Sequence, residues 1–116
     1  MSTWVYNPHA GGRPIPPTVR LRTERRIRAH AEEHYAGKFR RLELRFRGAL
    51  CYVDAWVDDV TGPLHLCRLR FFGNEEAWSL AFYTYSHERY EPTVFPNGTF
   101  QGTPEEAFDV GAVYLQ

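Results

Sequence analysis

The segment 41–70 alternates apolar and polar residues with a period of two, and this alternation constrains the fold more than any other feature of the sequence. Successive side chains of a strand point to opposite faces of a sheet, so the pattern predicts strands that are buried on one side only. Gly48 and the turn at 58–63 separate the first three strands by connections too short to hold a crossover helix. The sequence therefore predicts an antiparallel sheet.

The remaining segments predict further strands and a helix at each end of the chain. A helix predicted over 18–36 begins after two prolines and ends before Gly37. A second helix, predicted over 104–112, has a capping threonine, Thr103, with Glu106 three residues later. Strands are predicted at 41–47, 49–58, 64–72, 77–86 and 92–95, and a last one at 99–101 pairs with 92–95 across Pro96-Asn97-Gly98. The predicted fold class is α+β, a twisted antiparallel meander of five to six strands with both helices packed on one face.

Length and composition fit a single domain. The chain has 116 residues, of which 43% are hydrophobic and 16% aromatic, and this is enough to build one core. Proline and glycine interrupt any regular pattern in residues 1–17, which are predicted to form an irregular strap in front of one α+β domain at 18–116. Within the strap, Trp4, Val5 and Tyr6 are predicted to lay a short edge strand or an apolar patch on the domain.

The sequence predicts a cytoplasmic protein without a membrane segment. No apolar run approaches the roughly 18 residues that span a bilayer, and the first residues do not have the pattern of a signal peptide. The two cysteines, Cys51 and Cys67, are too few for a disulfide framework. On alternation alone His65 and Cys67 share a face of the third strand and Cys51 lies near them, so a metal site is conceivable. Buried free thiols are the favoured interpretation.

Charge is unevenly distributed although the net charge is zero. The first 50 residues carry 11 Lys and Arg against 4 Asp and Glu, and the remaining residues carry 3 against 10. Thirteen of the 14 basic residues are arginines, whose planar guanidinium suits phosphate and carboxylate. Either the two halves neutralise each other within the fold, or a basic face binds a polyanion.

Four arginines recur at a spacing of two on the first and third predicted strands, and two aromatic residues lie on the strand between them. They are Arg45, Arg47, Arg68, Arg70, Tyr52 and Trp56. Arginine and aromatic side chains on one sheet face form a platform on which domains hold single-stranded nucleic acid. Our first hypothesis is therefore a small binding module for nucleic acid or an acidic protein surface. In the alternative, Glu43, Asp54 and Asp58 neutralise the arginines.

A second hypothesis is a small metal-independent hydrolase, most plausibly a nuclease, with His65 or His87 as general base. His87 has Glu88 or Glu91 nearby to orient it and Arg89 to hold an oxyanion. No motif fixes this geometry, so an enzyme is less favoured than a binding module. A third hypothesis is a self-assembling interaction protein, a homo-oligomer in which the oppositely charged halves meet between copies or edge strands pair.

Neither a metal nor a cofactor is predicted. His30 and His34 fit the H-x-x-E-H pattern of inverted zinc proteases, with Glu33 as the base, and helical spacing puts both imidazoles on one face. The pattern is short enough to match by chance, and those enzymes need a further carboxylate ligand, so His30 and His34 remain weak metal candidates. Gly11-Gly12 precedes prolines instead of joining a strand to a helix, so it is not a phosphate loop.

Five stretches together resemble a group of small prokaryotic proteins of unassigned function. They are Arg45-Phe46-Arg47-Gly48, Cys51-Tyr52-Val53-Asp54-Ala55, His65-Leu66-Cys67-Arg68-Leu69-Arg70, Phe82-Tyr83-Thr84-Tyr85-Ser86 and Gly102-Thr103-Pro104-Glu105-Glu106-Ala107-Phe108. The resemblance extends from about Gly11 to the C-terminus. It implies a compact stand-alone domain and carries no activity, ligand or catalytic residue.

Overall fold

The computed structural model describes residues 10–115, so the predictions for Trp4, Val5 and Tyr6 lie outside the described residues. In chain order the elements are α1 (Pro17–Tyr35), β1 (Arg41–Arg47), β2 (Leu50–Trp56), β3 (Leu64–Arg70), β4 (Ser79–Thr84), β5 (Arg89–Thr93), α2 (Pro104–Gly111) and a 3₁₀ turn (Ala112–Leu115). The five strands form one antiparallel sheet in sequential order, with both helices on one face. The α+β prediction is confirmed.

The prediction of a sixth strand at 99–101 is wrong. A tight turn does form at Asn97 and Gly98, and the Phe95 backbone N–H donates to the Thr99 carbonyl at 2.8 Å. The chain then leaves this turn because the backbone of Gly102 exchanges two hydrogen bonds with Trp78, at the start of β4. The last strand, β5, lies earlier than predicted and pairs with β4 instead.

α1 buries a narrow apolar stripe and exposes the rest of its surface. Val19, Thr23, Ile27 and Ala31 are buried at the predicted helical spacing. The opposite surface is mostly polar, with Leu21 as an exposed apolar residue, and no helix among residues 10–115 is long and apolar enough to cross a membrane. The packing of this stripe on the sheet therefore fixes α1, and its many arginines remain at the surface.

α2 begins as predicted and packs tightly on β3. The Thr103 hydroxyl accepts from the Glu106 backbone N–H at 3.2 Å, and the Glu106 carboxylate accepts from the Thr103 N–H at 2.9 Å. A Cβ on Gly111 would lie 2.7 Å from the carbonyl oxygen of Leu66, so only glycine allows this approach. The largest fully buried apolar side chains of the resulting core are Trp78, Phe95, Phe108, Ile15, Ile27, Leu66, Leu69 and Leu80.

A β-bulge in β3 reverses the predicted orientation of His65. The first four residues of β2 pair regularly with β3, and beyond Val53 the register shifts so that Asp54 lies opposite His65. Leu66 is the extra residue and is fully buried. His65 therefore faces away from Cys67, and the prediction that they share a face is wrong.

The sheet face opposite the helices is named the outer face. Its described residues are Arg41, Glu43, Arg45 and Arg47 from β1, Leu50, Tyr52, Asp54 and Trp56 from β2, His65, Arg68 and Arg70 from β3, Ser79, Ala81 and Tyr83 from β4, and Tyr90 and Pro92 from β5. Five of them are arginines and two are carboxylates, so this face carries an excess of positive charge.

Candidate functional site

The strand register brings the four predicted arginines onto the outer face. Arg45 and Arg68 lie on either side of Tyr52, and Arg47 and Arg70 lie on either side of Leu50. Such matching across β2 was the condition for an arginine platform, because a slip of one residue would have turned one pair into the core.

Three of the outer-face arginines lie over aromatic rings. The guanidinium carbon is 4.5 Å from the ring centre in the pair Arg41–Trp56, 5.0 Å in Arg45–Tyr52 and 5.4 Å in Arg68–Tyr90. At these distances a cation is attracted by the face of the ring, which stabilises the charge without neutralising it. Sequence reasoning missed Arg41 and Tyr90 as site residues, although the alternation in β1 already placed Arg41 beside Arg45.

Some of these arginines also bind oxygen atoms of the protein. Arg45 NH2 lies 3.2 Å from Asp54 Oδ2, and Arg70 NH1 donates to the Gly11 carbonyl at 3.0 Å. Nearby, Asp58 lies 3.5 Å from Arg40, which is not one of the predicted site residues. The predicted neutralisation by acids is therefore partial, and Arg41, Arg45 and Arg47 remain exposed on β1.

Tyrosine rings cover the middle of the outer face. Tyr90, from the edge strand, packs edge-on against Tyr83 and Tyr52, with ring centres 4.9 and 5.5 Å away. Burial, followed by the nearby Asp54 carboxylate, raises the pKa of the Tyr90 hydroxyl above its ordinary value. The hydroxyl therefore stays protonated.

The buried side-chain polar atoms without a hydrogen-bond partner in the described part of the chain all belong to outer-face residues. They are the Trp56 indole nitrogen, the Ser79 hydroxyl and the Tyr90 hydroxyl. Buried polar groups are nearly always hydrogen-bonded, so an unpartnered one needs an explanation. These three atoms are buried as well as unpartnered, so a ligand would reach them only if neighbouring side chains moved.

Asp54 joins two of the candidate residues. Its carboxylate is 1% exposed, and its two oxygens bind His65 Nδ1 at 2.9 Å and Arg45 NH2 at 3.2 Å. An ionised carboxylate accepts hydrogen bonds and does not donate them, so the contact assigns a proton to Nδ1. The His65 ring packs against Tyr83 at 4.7 Å between ring centres, which further limits its rotation.

The second histidine candidate lies in the turn between β4 and β5. His87 Nδ1 is 2.9 Å from Glu91 Oε1, as predicted, but the same oxygen also accepts from Arg89 Nε at 3.1 Å. Glu88 has a φ of 53°, which places it in the left-handed region of the turn. The His87 side chain is 59% exposed, so the His87–Glu91 pair is solvated and is not held in place by packing.

His30 and His34 share one face of α1 as predicted, with ring centres 4.5 Å apart. His30 Nε2 is 2.7 Å from Asp109 Oδ1, which also accepts from the Tyr35 hydroxyl at 2.7 Å. Burial, and then this hydrogen bond, raises the pKa of Tyr35 to about 12. Among residues 10–115 no three His, Cys, Asp or Glu side chains are arranged to hold a metal ion.

Both cysteines are buried free thiols, as the sequence predicts. Cys51 lies opposite Leu69 and Cys67 opposite Val53, so the two are diagonal neighbours on the helix-covered face. Burial raises the pKa of both thiols, which keeps them protonated and unreactive.

Comparison with protein families, with curated proteins and with solved structures finds no match to this chain. The resemblance to small prokaryotic proteins stays a prediction. Function must therefore be argued from the chemistry of the outer face.

Proposed function

We propose that the protein is a binding module that holds single-stranded nucleic acid on its outer face. Arg41, Arg45 and Arg47 would contact phosphates along β1, and bases would take the place of Arg41 and Arg45 over the rings of Trp56 and Tyr52. The observation that carries the proposal is the row of arginines lying over aromatic rings on one open sheet face.

Charge supports an anionic ligand. The outer face has five arginines and two carboxylates, and one of those carboxylates, Asp54, is buried beneath its neighbours. A polyanion gains free energy on such a face by releasing its counterions.

The aromatic rings favour nucleic acid over an acidic protein surface. Tyr52 and Trp56 are half-buried on β2; Tyr52 projects between Arg45 and Arg68, and Trp56 projects beside Arg41. A base gains stacking energy on the face of an aromatic ring, whereas an acidic side chain has no flat ring to stack there.

The test is a salt series with labelled oligonucleotides. Fluorescence anisotropy would be measured with single-stranded RNA and DNA of about 12 nucleotides, at about 50 and about 200 mM salt. Three phosphate contacts predict an affinity about 20-fold weaker at the higher salt. Light scattering on the same samples separates binding from self-association of the protein.

Two results would contradict the proposal. Affinity that does not change with salt would exclude a phosphate-driven mode. A polyglutamate peptide of equal charge that competes as well as the oligonucleotide would show that the rings do not contribute, and would favour an acidic protein partner instead.

A further inference from the structure

The pair formed by His65 and Asp54 is built differently from the other histidine–carboxylate pairs of the molecule. The His87–Glu91 pair has the same Nδ1 contact and the same 2.9 Å distance. The Asp54 side chain, however, is 2% exposed, whereas that of Glu91 is 31% exposed. A buried carboxylate holds the imidazole in one orientation and one tautomer, whereas a solvated one exchanges with water.

The orientation of His65 leaves its second nitrogen available. Nδ1 is occupied by Asp54, and no hydrogen bond joins Nε2 to any residue within 10–115. The side chain is 33% exposed, which suffices for contact with a ligand on the outer face. A neutral imidazole whose Nδ1–H is held by a buried carboxylate presents a basic Nε2, as in hydrolases that use histidine as a general base.

A guanidinium lies beside this base. Arg45 binds the other oxygen of the Asp54 carboxylate, so Arg45 and His65 are held on either side of one anchor. A phosphate contacting Arg45 would lie near the Asp54 carboxylate that also positions His65. Stabilisation of phosphate charge and removal of a proton are the two requirements for cleaving a phosphodiester that carries its own nucleophile.

We propose that His65 is the general base of an RNA-cleaving site on the outer face, with Asp54 as its positioning residue. This inference rests on the proposed function, since the outer face must hold the strand. It names RNA as the substrate because the ribose 2′-hydroxyl is the nucleophile, and DNA lacks that group.

The reaction is an internal transesterification. His65 Nε2 takes the proton of a 2′-hydroxyl, the 2′-oxygen forms a bond to the adjacent phosphorus, and the bond from phosphorus to the 5′-oxygen breaks. The leaving oxygen takes a proton from water, and the hydroxide formed takes the proton from His65 and restores the neutral ring. The products are a 2′,3′-cyclic phosphate end and a 5′-hydroxyl end. Arg45 stabilises the added negative charge at phosphorus.

The experiment uses the full chain with fluorescent single-stranded RNA and the DNA of the same sequence, in the presence of a chelator. Anisotropy reports binding, and a denaturing gel reports cleavage. We expect both strands to bind and only RNA to be cut, with a 2′,3′-cyclic phosphate at the new end. His65→Gln should slow cleavage by about 100-fold or more while binding is kept. The matched His87→Gln variant, purified in the same way, should cleave like the unmodified protein.

Asp54 needs a readout that a purely structural role would not move. In the protein labelled with ¹⁵N-histidine, the ring-nitrogen shifts should report His65 in the Nδ1–H tautomer. In Asp54→Asn the amide no longer imposes that tautomer, so we expect mixed ring signals and slower cleavage. If that variant does not fold, the tautomer of His65 in the unmodified protein is the test. A His65 ring that carries its proton on Nε2 instead of Nδ1 would overturn the assignment.

The outcomes separate the two proposals. RNA that binds without being cut overturns the cleavage site and leaves the binding function intact. Failure of both RNA and DNA to bind overturns the proposed function and, with it, the substrate. Cleavage that persists in His65→Gln, or is lost in His87→Gln instead, overturns the assignment of the base.

Discussion

The arginines of α1 and those of the outer face are the same residue type in two different settings. On α1, Arg22 binds Glu75 at 2.8 Å and Arg26 binds both Glu76 and Glu105, at 2.7 and 2.8 Å. On the outer face, arginines lie over Trp56, Tyr52 and Tyr90.

The difference lies in the partners. The α1 arginines bind carboxylates from other elements, whereas Arg41 lies over a ring, and Arg45 lies over a ring and also binds Asp54. Basic residues early in α1 oppose the helix dipole, and carboxylates from the β3–β4 loop and the first turn of α2 neutralise them. A guanidinium over a ring keeps its positive charge and its outward N–H donors. The basic first half of the sequence therefore serves two purposes, and local charge alone does not distinguish them.

The comparison is tested most strongly by removing three charges from each region. The triple variant Arg41→Gln, Arg45→Gln and Arg47→Gln should weaken oligonucleotide binding by about 100-fold at about 50 mM salt and reduce the slope against log salt by about 2. The measurement is the same anisotropy series, with thermal melting to verify that the fold is kept.

The matched control removes the same number of charges from α1. Arg22→Gln, Arg26→Gln and Arg28→Gln together should lower the melting temperature, because their carboxylate partners lose their ion pairs. Affinity should change by about twofold or less, since these charges lie away from the outer face. Equal losses of affinity in both triple variants would mean that net charge, and not the outer face, determines binding.

A smaller effect is expected at a single ring. Trp56→Leu keeps an apolar side chain on β2 but removes the stacking surface beneath Arg41, so affinity should fall by about tenfold. Trp56→Phe should recover most of the loss. If Leu binds as well as Trp in the anisotropy assay, the rings on this face only support the arginines and do not stack on bases.

The sequence was sufficient to predict the sheet and the side on which its arginines lie. Alternation and short turns predict antiparallel pairing of neighbouring strands, and β1, β2 and β3 pair in this way. Arg68 and Arg70 lie in the regular part of β3, which begins at the pair Arg70–Leu50 and ends before the bulge. Strict alternation therefore holds for them.

The Asp54–His65 pair could not be predicted in the same way. Alternation counts residues, and the bulge at Leu66 inserts one that the count does not anticipate, which moves His65 to the outer face. No glycine or proline marks this position. The carboxylate partners of α1 were equally hidden, because Arg26 and Glu105 are 79 residues apart and only the packing of α2 brings them together.

The smallest predicted effect concerns the carboxylates that neutralise α1. Burial opposes ionisation of Glu105, but its hydrogen bonds from Arg26 outweigh this and hold its pKa below the usual range. Arg26→Gln should therefore lower the free energy of unfolding by about 1 kcal/mol near neutral pH. A depressed folded-state pKa contributes stability above the unfolded value of about 4.3, and this contribution is lost as the pH falls through the folded value. Urea unfolding at a series of pH values should show the two proteins converging in acid; a gap that stays constant down to about pH 2 would mean that Arg26 stabilises α1 by packing and not by its charge.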